Sequence, residues 1–141
     1  PFTTKPDGSP VTVADALAED VVIRSLRDIT PDVPIIAEES VARGDIPAFD
    51  PAGYAWLVDA LDGTRGFVRG DKDFTVNIGL VKNGVPVLGV IYAPALGELY
   101  AGHGAGTARR LLDDTGSEKN IHVRKPVREG LTVAVSGGGA P

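Results

Sequence analysis

Cysteine is absent from the 141 residues, and aromatic side chains make up only 6%, with a single tryptophan. Without cysteine there are no disulfides, no thiolate metal sites and no thiol nucleophiles. That accords with a reducing, cytoplasmic setting, and peripheral association with a membrane is compatible with it. Basic residues are also in deficit, 14 against 19 acidic ones, for a formal net charge of −5. Such a balance makes a poor generic binder of nucleic-acid polymers. A small phosphorylated ligand remains compatible with it, because a bound cation reverses the local sign. No apolar run approaches the ~20 residues of a membrane span, and the opening stretch does not read as a signal peptide. What is present is ordinary for a globular domain: 43% hydrophobic and 23% charged residues, enough for one real core. The chain opens at "PFTTKPDGSP" without a methionine and ends in "SGGGAP", so the expectation is a piece of a longer fold.

Hydrophobic periodicity gives an α+β order. Residues 1–11 carry Pro, Gly and Ser and read as loop or turn. Thr12 or Asp15 caps a helix from about Ala14 to Ile29, with Leu17, Val21, Leu26 and Ile29 near one face. Thr30-Pro31 stops it. "PIIA", residues 34–37, is a short buried strand ending at Glu38-Glu39, and residues 40–54 read as a long loop. "AWLVD" is a second buried strand, and a helical turn follows from Gly63 to about Val68. In "DFTVNIGLV" Phe74, Val76, Ile78 and Leu80 alternate onto one face. Asn83-Gly84 is a hairpin signal, "VPVLGVIYAP" the returning strand and "ELYA" a further one. Residues 102–107 read as a turn, and "NIHVR" and "LTVAV" close a mostly antiparallel series.

The stretch "WLVDALDGTRGF", residues 56–67, concentrates the chemistry. An apolar strand ends at Asp59, and Asp62 follows three positions later. Extended chain would separate these side chains, whereas a turn beginning at Ala60 lets both converge at the strand end. Two ionised carboxylates side by side repel unless a cation lies between them. Oxygen donors without Cys or His point to Mg²⁺ or Ca²⁺ rather than zinc. Gly63 and Thr64 then offer backbone N–H groups at a helix start, which favour an anion such as phosphate. The bare string admits a plainer reading equally well: Asp62 as a helix cap and Asp59 as a solvated strand end. Taken alone, Glu38-Glu39 reads as a solvated acidic pair, and Asp15 as an acid favouring a helix dipole. If the strand before Glu38 lies beside "AWLVD", all these carboxylates reach one sheet edge.

Together, "SPVTVAD", "EES" and "WLVDALDGTRGF", in this order and spacing, resemble the lithium-sensitive, magnesium-dependent phosphatases of the inositol monophosphatase superfamily. The resemblance covers nearly the whole chain but only the N-terminal half of a family member. It implies the N-terminal half of the sugar-phosphatase fold, with the family's first long helix and its second α/β half missing. "TPDVP", "DFTVNIGLV" and "GVPVLGVIYAP" look most like the 3′(2′),5′-bisphosphate nucleotidase (CysQ-type) branch, which removes the 3′-phosphate from adenosine 3′,5′-bisphosphate in sulfate assimilation. "DGTRGFVRG" is also similar to the histidinol-phosphate branch, and inositol monophosphatases share the core motifs.

The resemblance implies a role for each matching residue. Glu38, Asp59, the Leu61 carbonyl and Asp62 match metal ligands, Asp59 bridging two ions. Thr64 and Asp15 match the pair that orients and activates the attacking water. The backbone of Gly63 and Thr64 matches the phosphate cradle, and Glu39 and Lys5 match positions near the metal-bound waters. Two or three Mg²⁺ ions, inhibition by Li⁺ and a small phosphorylated substrate are implied. Ala60 stands where the family usually has proline, which would stiffen the turn. The absent half implies exposed apolar surface and self-association through it. A truncated chain that binds metal without turnover is the contrasting expectation. "GHGAGT", residues 102–107, lacks the ending of a phosphate-binding loop, and His103 and His122 lack metal-type spacing.

Overall fold

The computed structural model describes residues 2–4 and 10–124. Lys5 and the "LTVAV" segment, residues 131–135, lie outside them. The first expectation to fail is the opening loop. Strands β1 (Phe2–Thr4) and β2 (Pro10–Thr12) pair antiparallel as a ribbon leading into helix α1 (Val13–Ile29). Thr12 is the N-cap of α1. Its hydroxyl accepts from the Ala14 N–H, and the Asp15 carboxylate accepts from the Thr12 N–H, completing a capping box. Both residues named as caps therefore act together. At the far end the Thr30 N–H closes on the Leu26 carbonyl.

The buried face of α1 differs from the expected one. Leu17, Val21 and Ile29 are 60%, 56% and 71% exposed, whereas Asp15, Glu19 and Leu26 are buried. Positions 15, 19, 22 and 26 make a stripe at the helical period, and two of its members are acids. Apolar type alone does not mark the buried face here, because the helix is turned so that Asp15 and Glu19 enter the protein.

After α1 come β3 (Ile35–Ala37), α2 (Glu38–Ala42), β4 (Tyr54–Asp62), α3 (Thr64–Arg69), β5 (Thr75–Lys82), β6 (Val85–Ala93), β7 (Glu98–Gly102), β8 (Arg109–Leu112) and β9 (Glu118–Asn120). Among the described residues these strands form one seven-stranded sheet in the order β3-β4-β5-β6-β7-β8-β9. Only the β3–β4 pair is parallel. The α+β expectation holds, and the strands do follow sequence order across the sheet. The hairpin also holds: Asn83 and Gly84 both have positive φ, 50° and 71°, as a two-residue primed turn requires. Other assignments differ. The first residues of the expected 40–54 loop belong to α2. β8 was not anticipated. Of "NIHVR" only Asn120 lies in a strand.

The core lies between α1 and one sheet face. Trp56, Val58 and Ala60 of β4, Ala37 of β3 and Leu26 of α1 are buried together, with Val22, Ile23, Ile78, Leu80 and Leu88 packed around them. The Trp56 indole N–H donates to the Thr30 hydroxyl at 2.9 Å, tying the helix end to the sheet. The opposite face carries Ile36, Leu57, Gly79, Gly89 and Ile91, which with Val41 line an open cavity of about 560 Å³. Leu57 and Ile91 there are 43% and 47% exposed. No helix among the described residues is long and apolar enough to cross a membrane.

Candidate metal and phosphate site

β3 and β4 run parallel with Ala37 opposite Val58. The residue that follows each is an acid, Glu38 at the start of α2 and Asp59 on β4, and the parallel pairing brings the two together. Burial pushes the Asp59 carboxyl up to about 6 from 3.8, and the charge of Glu38 adds to the effect. The Leu61 N–H, 3.2 Å from Asp59 Oδ1, works against it, while Asp62 and a hydrogen bond shared with Glu38 push upward. A hydrogen bond between two carboxyl groups needs a proton on one of them. The same gap can be bridged by a cation.

Asp62 reaches the same region by a device other than the expected turn. β4 continues to Asp62, and its pairing with β5 shifts between Asp59↔Asn77 and Asp62↔Thr75. Three steps on β4 are matched by two on β5, which is a β-bulge. In a regular strand residues three apart point to opposite faces; the extra residue undoes that alternation. Ala60 and Leu61, inside the bulge, are both buried, and Ala60 packs in the core cluster. Asp62 Oδ2 accepts from Asn77 Nδ2 at 3.1 Å.

Gly63 follows in the left-handed region, φ 89°, as N-cap of α3. A Cβ there would lie 2.7 Å from the Asp73 carbonyl oxygen, so the turn into α3 accepts only glycine without rearrangement. The Thr64 hydroxyl then lies 3.1 Å from Asp15 Oδ1 and 3.0 Å from the Leu61 carbonyl oxygen. It has one proton for two acceptors. When it donates to Asp15, the Leu61 carbonyl is left to another partner. Asp15, 2% exposed, also accepts from the Thr12 N–H and hydroxyl, both at 2.7 Å.

Of the residues singled out in the sequence, the structure joins Glu38 to Asp59 and Asp15 to Thr64, with Asp62 in electrostatic range of Asp59. Glu39 is buried at the start of α2, and its N–H donates to Glu19. Among the described residues no three acidic or histidine side chains close into a ready-made metal cage. The donors are nonetheless all oxygens, two carboxylates are already in contact, and the neighbouring Asn77 Oδ1 is buried without a partner among the described residues. That chemistry fits a hard divalent cation. Asn77 and Glu19 were not anticipated. The sequence signal for Glu19 is its place on the buried stripe of α1; for Asn77 it is its register opposite Asp59, which needs the pairing to be known.

The profile of the inositol monophosphatase family matches residues 3–136. The 3′(2′),5′-bisphosphate nucleotidase CysQ of Salmonella typhimurium is 42% identical over 126 residues, 87% of this chain and 48% of its own length. The protein of the same description from Escherichia coli K12 is 40% identical over 129 residues, 86% of this chain and 47% of its own. Among solved structures, the Thermotoga maritima IMPase superposes with a TM-score of 0.68 at 28% identity, over 89% of this chain and 44% of that one. The extragenic suppressor protein SuhB of Bartonella henselae gives 0.65 at 31% identity, over 77% and 41%. The chain thus spans about half the length of the curated relatives it matches. With its profile matched almost end to end and its fold shared with these structures, the chain belongs to the inositol monophosphatase family.

Proposed function

We propose that this chain is the metal- and phosphate-binding half of a magnesium-dependent phosphomonoesterase, whose substrate is the 3′-phosphate of adenosine 3′,5′-bisphosphate or a related nucleotide. The observation that carries the reading is the contact of Glu38 with Asp59 just past the end of the parallel β3–β4 pairing, one bulge away from Asp62 and the Thr64–Asp15 pair. The bisphosphate nucleotidases at about 40% identity support this choice of substrate.

Glu38, Asp59, Asp62 and the Leu61 carbonyl would hold Mg²⁺, two or three ions in all. A cation held by these oxygens would supply a lowered pKa for bound water and charge neutralisation at the phosphoryl group. The protein's own contribution is positioning. Asp15 accepts the Thr64 proton, which turns a lone pair of the Thr64 oxygen outward to accept from an attacking water. The backbone N–H groups of Gly63 and Thr64, at the start of α3, would hold phosphate oxygens. Phosphate monoesters hydrolyse extremely slowly in water, so electrostatic stabilisation must dominate. Li⁺ would compete for the same oxygen donors.

Two other readings have specific support. The IMPase structure at 28% identity favours an inositol phosphate, and the likeness of "DGTRGFVRG" to the histidinol-phosphate branch makes histidinol phosphate the third candidate substrate. A chain that binds metal without turnover is the contrasting reading, supported by the lack, among the described residues, of three acidic or histidine side chains closed into one cage. The test combines Mg²⁺ titration calorimetry with phosphate release from the three substrates. Mg²⁺ binding with release from adenosine 3′,5′-bisphosphate is expected. Preferred release from another substrate reassigns it, binding without release supports the inactive fragment, and no binding overturns the proposal.

A further inference from the structure

Glu19 is 1% exposed, the most deeply buried large side chain among the described residues, and the chemistry above does not use it. It lies one helical turn after Asp15 on α1. Its Oε2 accepts from the Glu39 backbone N–H at 2.8 Å, and its Oε1 from the Ser40 hydroxyl at 2.7 Å. The Arg43 guanidinium approaches the same Oε1 at 3.4 Å. These donors all belong to α2 or its C-cap.

The first N–H groups of a helix have no partner within it, and here the N-cap is Ala37, which offers no side-chain acceptor. A carboxylate from another helix takes that place. The need for it is visible in the sequence of α2. Five residues are too few to hold a helix by propagation alone, and its first residue, Glu38, is pressed against another carboxyl group, Asp59. Left to itself, like-charge repulsion would swing α2 away from β4.

We propose that Glu19 is a positioning residue for the metal site: by capping α2 from α1 it keeps the Glu38 carboxylate against Asp59. Because Asp15, on the same face of α1, holds Thr64, one helix then sets both Glu38 and Thr64 from two acids a turn apart. This rests on the metal-binding reading above and adds the group that preorganises the metal ligands.

The test uses the full chain, freed of metal and titrated with Mg²⁺ alone, together with amide hydrogen exchange at Glu39 and an unfolding curve. Glu19→Gln keeps the volume but leaves one acceptor oxygen where the donors occupy two, the Glu39 N–H on Oε2 and Ser40 with Arg43 on Oε1, so an NH₂ group must face one set and the charge is lost. The expected result is Mg²⁺ affinity weakened by about 10–100-fold, the range for groups that orient ligands from outside. Faster exchange at Glu39 should accompany it in protein that is still folded at the titration temperature. Ser40→Ala removes one donor to Glu19 and serves if Glu19→Gln does not fold; it should weaken Mg²⁺ by a smaller factor in the same direction. A role in stability alone would lower the unfolding midpoint and leave the affinity of the folded protein within about twofold, well short of the effect expected of a ligand-orienting group. That result in Glu19→Gln, or in Ser40→Ala where it stands in, overturns the inference alone. Failure of the unsubstituted chain to bind Mg²⁺ overturns the functional reading and this inference with it.

Discussion

The Thr64 hydroxyl lies 3.1 Å from the Asp15 carboxylate across 49 positions of sequence, and that carboxylate is also the reciprocal half of the capping box that starts α1. One buried group thus serves the fold through one oxygen and the site through the other, so substitutions on the two sides of the bond should behave differently. Asp15→Ala removes the acceptor of the Thr12 N–H and hydroxyl and should destabilise the chain by about 1–3 kcal/mol, read as a shift of the urea midpoint. Thr64→Val leaves the capping box intact. Its stability should change by less than that, while Mg²⁺-dependent phosphate release falls by about 10²–10⁴-fold.

Asp59 gives the metal-free chain a pH dependence of known sign. Its carboxyl stands near 6 in the folded chain against an ordinary value of 3.8, so the folded state binds the proton more tightly. The resulting stabilisation is fully present below about pH 4 and is lost as the pH rises through 6. Mg²⁺ needs the ionised form, so its affinity should climb about tenfold per pH unit up to pH 6 and level off above it, with proton release on binding below that point. Calorimetry at several pH values reads both. Asp59→Asn should abolish Mg²⁺ binding and flatten this part of the stability profile.

Much of this site could be read from the sequence because apolar runs stop at its acids: the run before Glu38 marks the end of β3, while the run before Asp59 marks the end of the buried stretch paired with β3, β4 itself continuing to Asp62. Convergence of these acids requires the two strands to be neighbours, and the parallel pairing of Ala37 with Val58 makes them so. What could not be read depended on partners. The bulge at Ala60-Leu61 exists only as a mismatch of count with β5, so a turn was the natural guess for bringing two aspartates together. The rotation of α1 was missed because Leu17 and Val21 look like core, while Glu19 looks like surface. Its burial is explained only by the donors that α2 brings to it.

The sheet face opposite α1 should make the chain self-associate. Leu57 and Ile91 lie there half-exposed beside a broad cavity, and glycines Gly79, Gly89 and Gly102 sit side by side on β5, β6 and β7, leaving the surface low enough for close approach. Full burial of each large apolar side chain is worth about 1.5–3 kcal/mol. Sedimentation should show concentration-dependent association, and Leu57→Glu should shift it towards monomer. A chain that stays monomeric at high concentration contradicts the expectation.

Gly63 separates two costs that usually arrive together. Its φ of 89° and that of Gly70, 82°, both lie where a side chain is strained, and the two glycines bracket the same short helix. Around Gly70 a Cβ would meet nothing within 4 Å, whereas at Gly63 it would stand 2.7 Å from the Asp73 carbonyl oxygen and 3.3 Å from Phe74 Cα. Gly70→Ala should therefore lose only the conformational term, about 1 kcal/mol or slightly more. Gly63→Ala should lose that and more, because a backbone carbonyl cannot rotate away as a side chain can, and β5 begins two residues beyond Asp73. The displaced turn also carries Thr64 away from Asp15, so Gly63→Ala should reduce phosphate release in protein that remains folded, while Gly70→Ala leaves the Thr64–Asp15 distance unchanged. Urea midpoints for the pair, measured beside turnover, read both effects. Equal destabilisation by the two substitutions would show that the close approach of Asp73 has no cost.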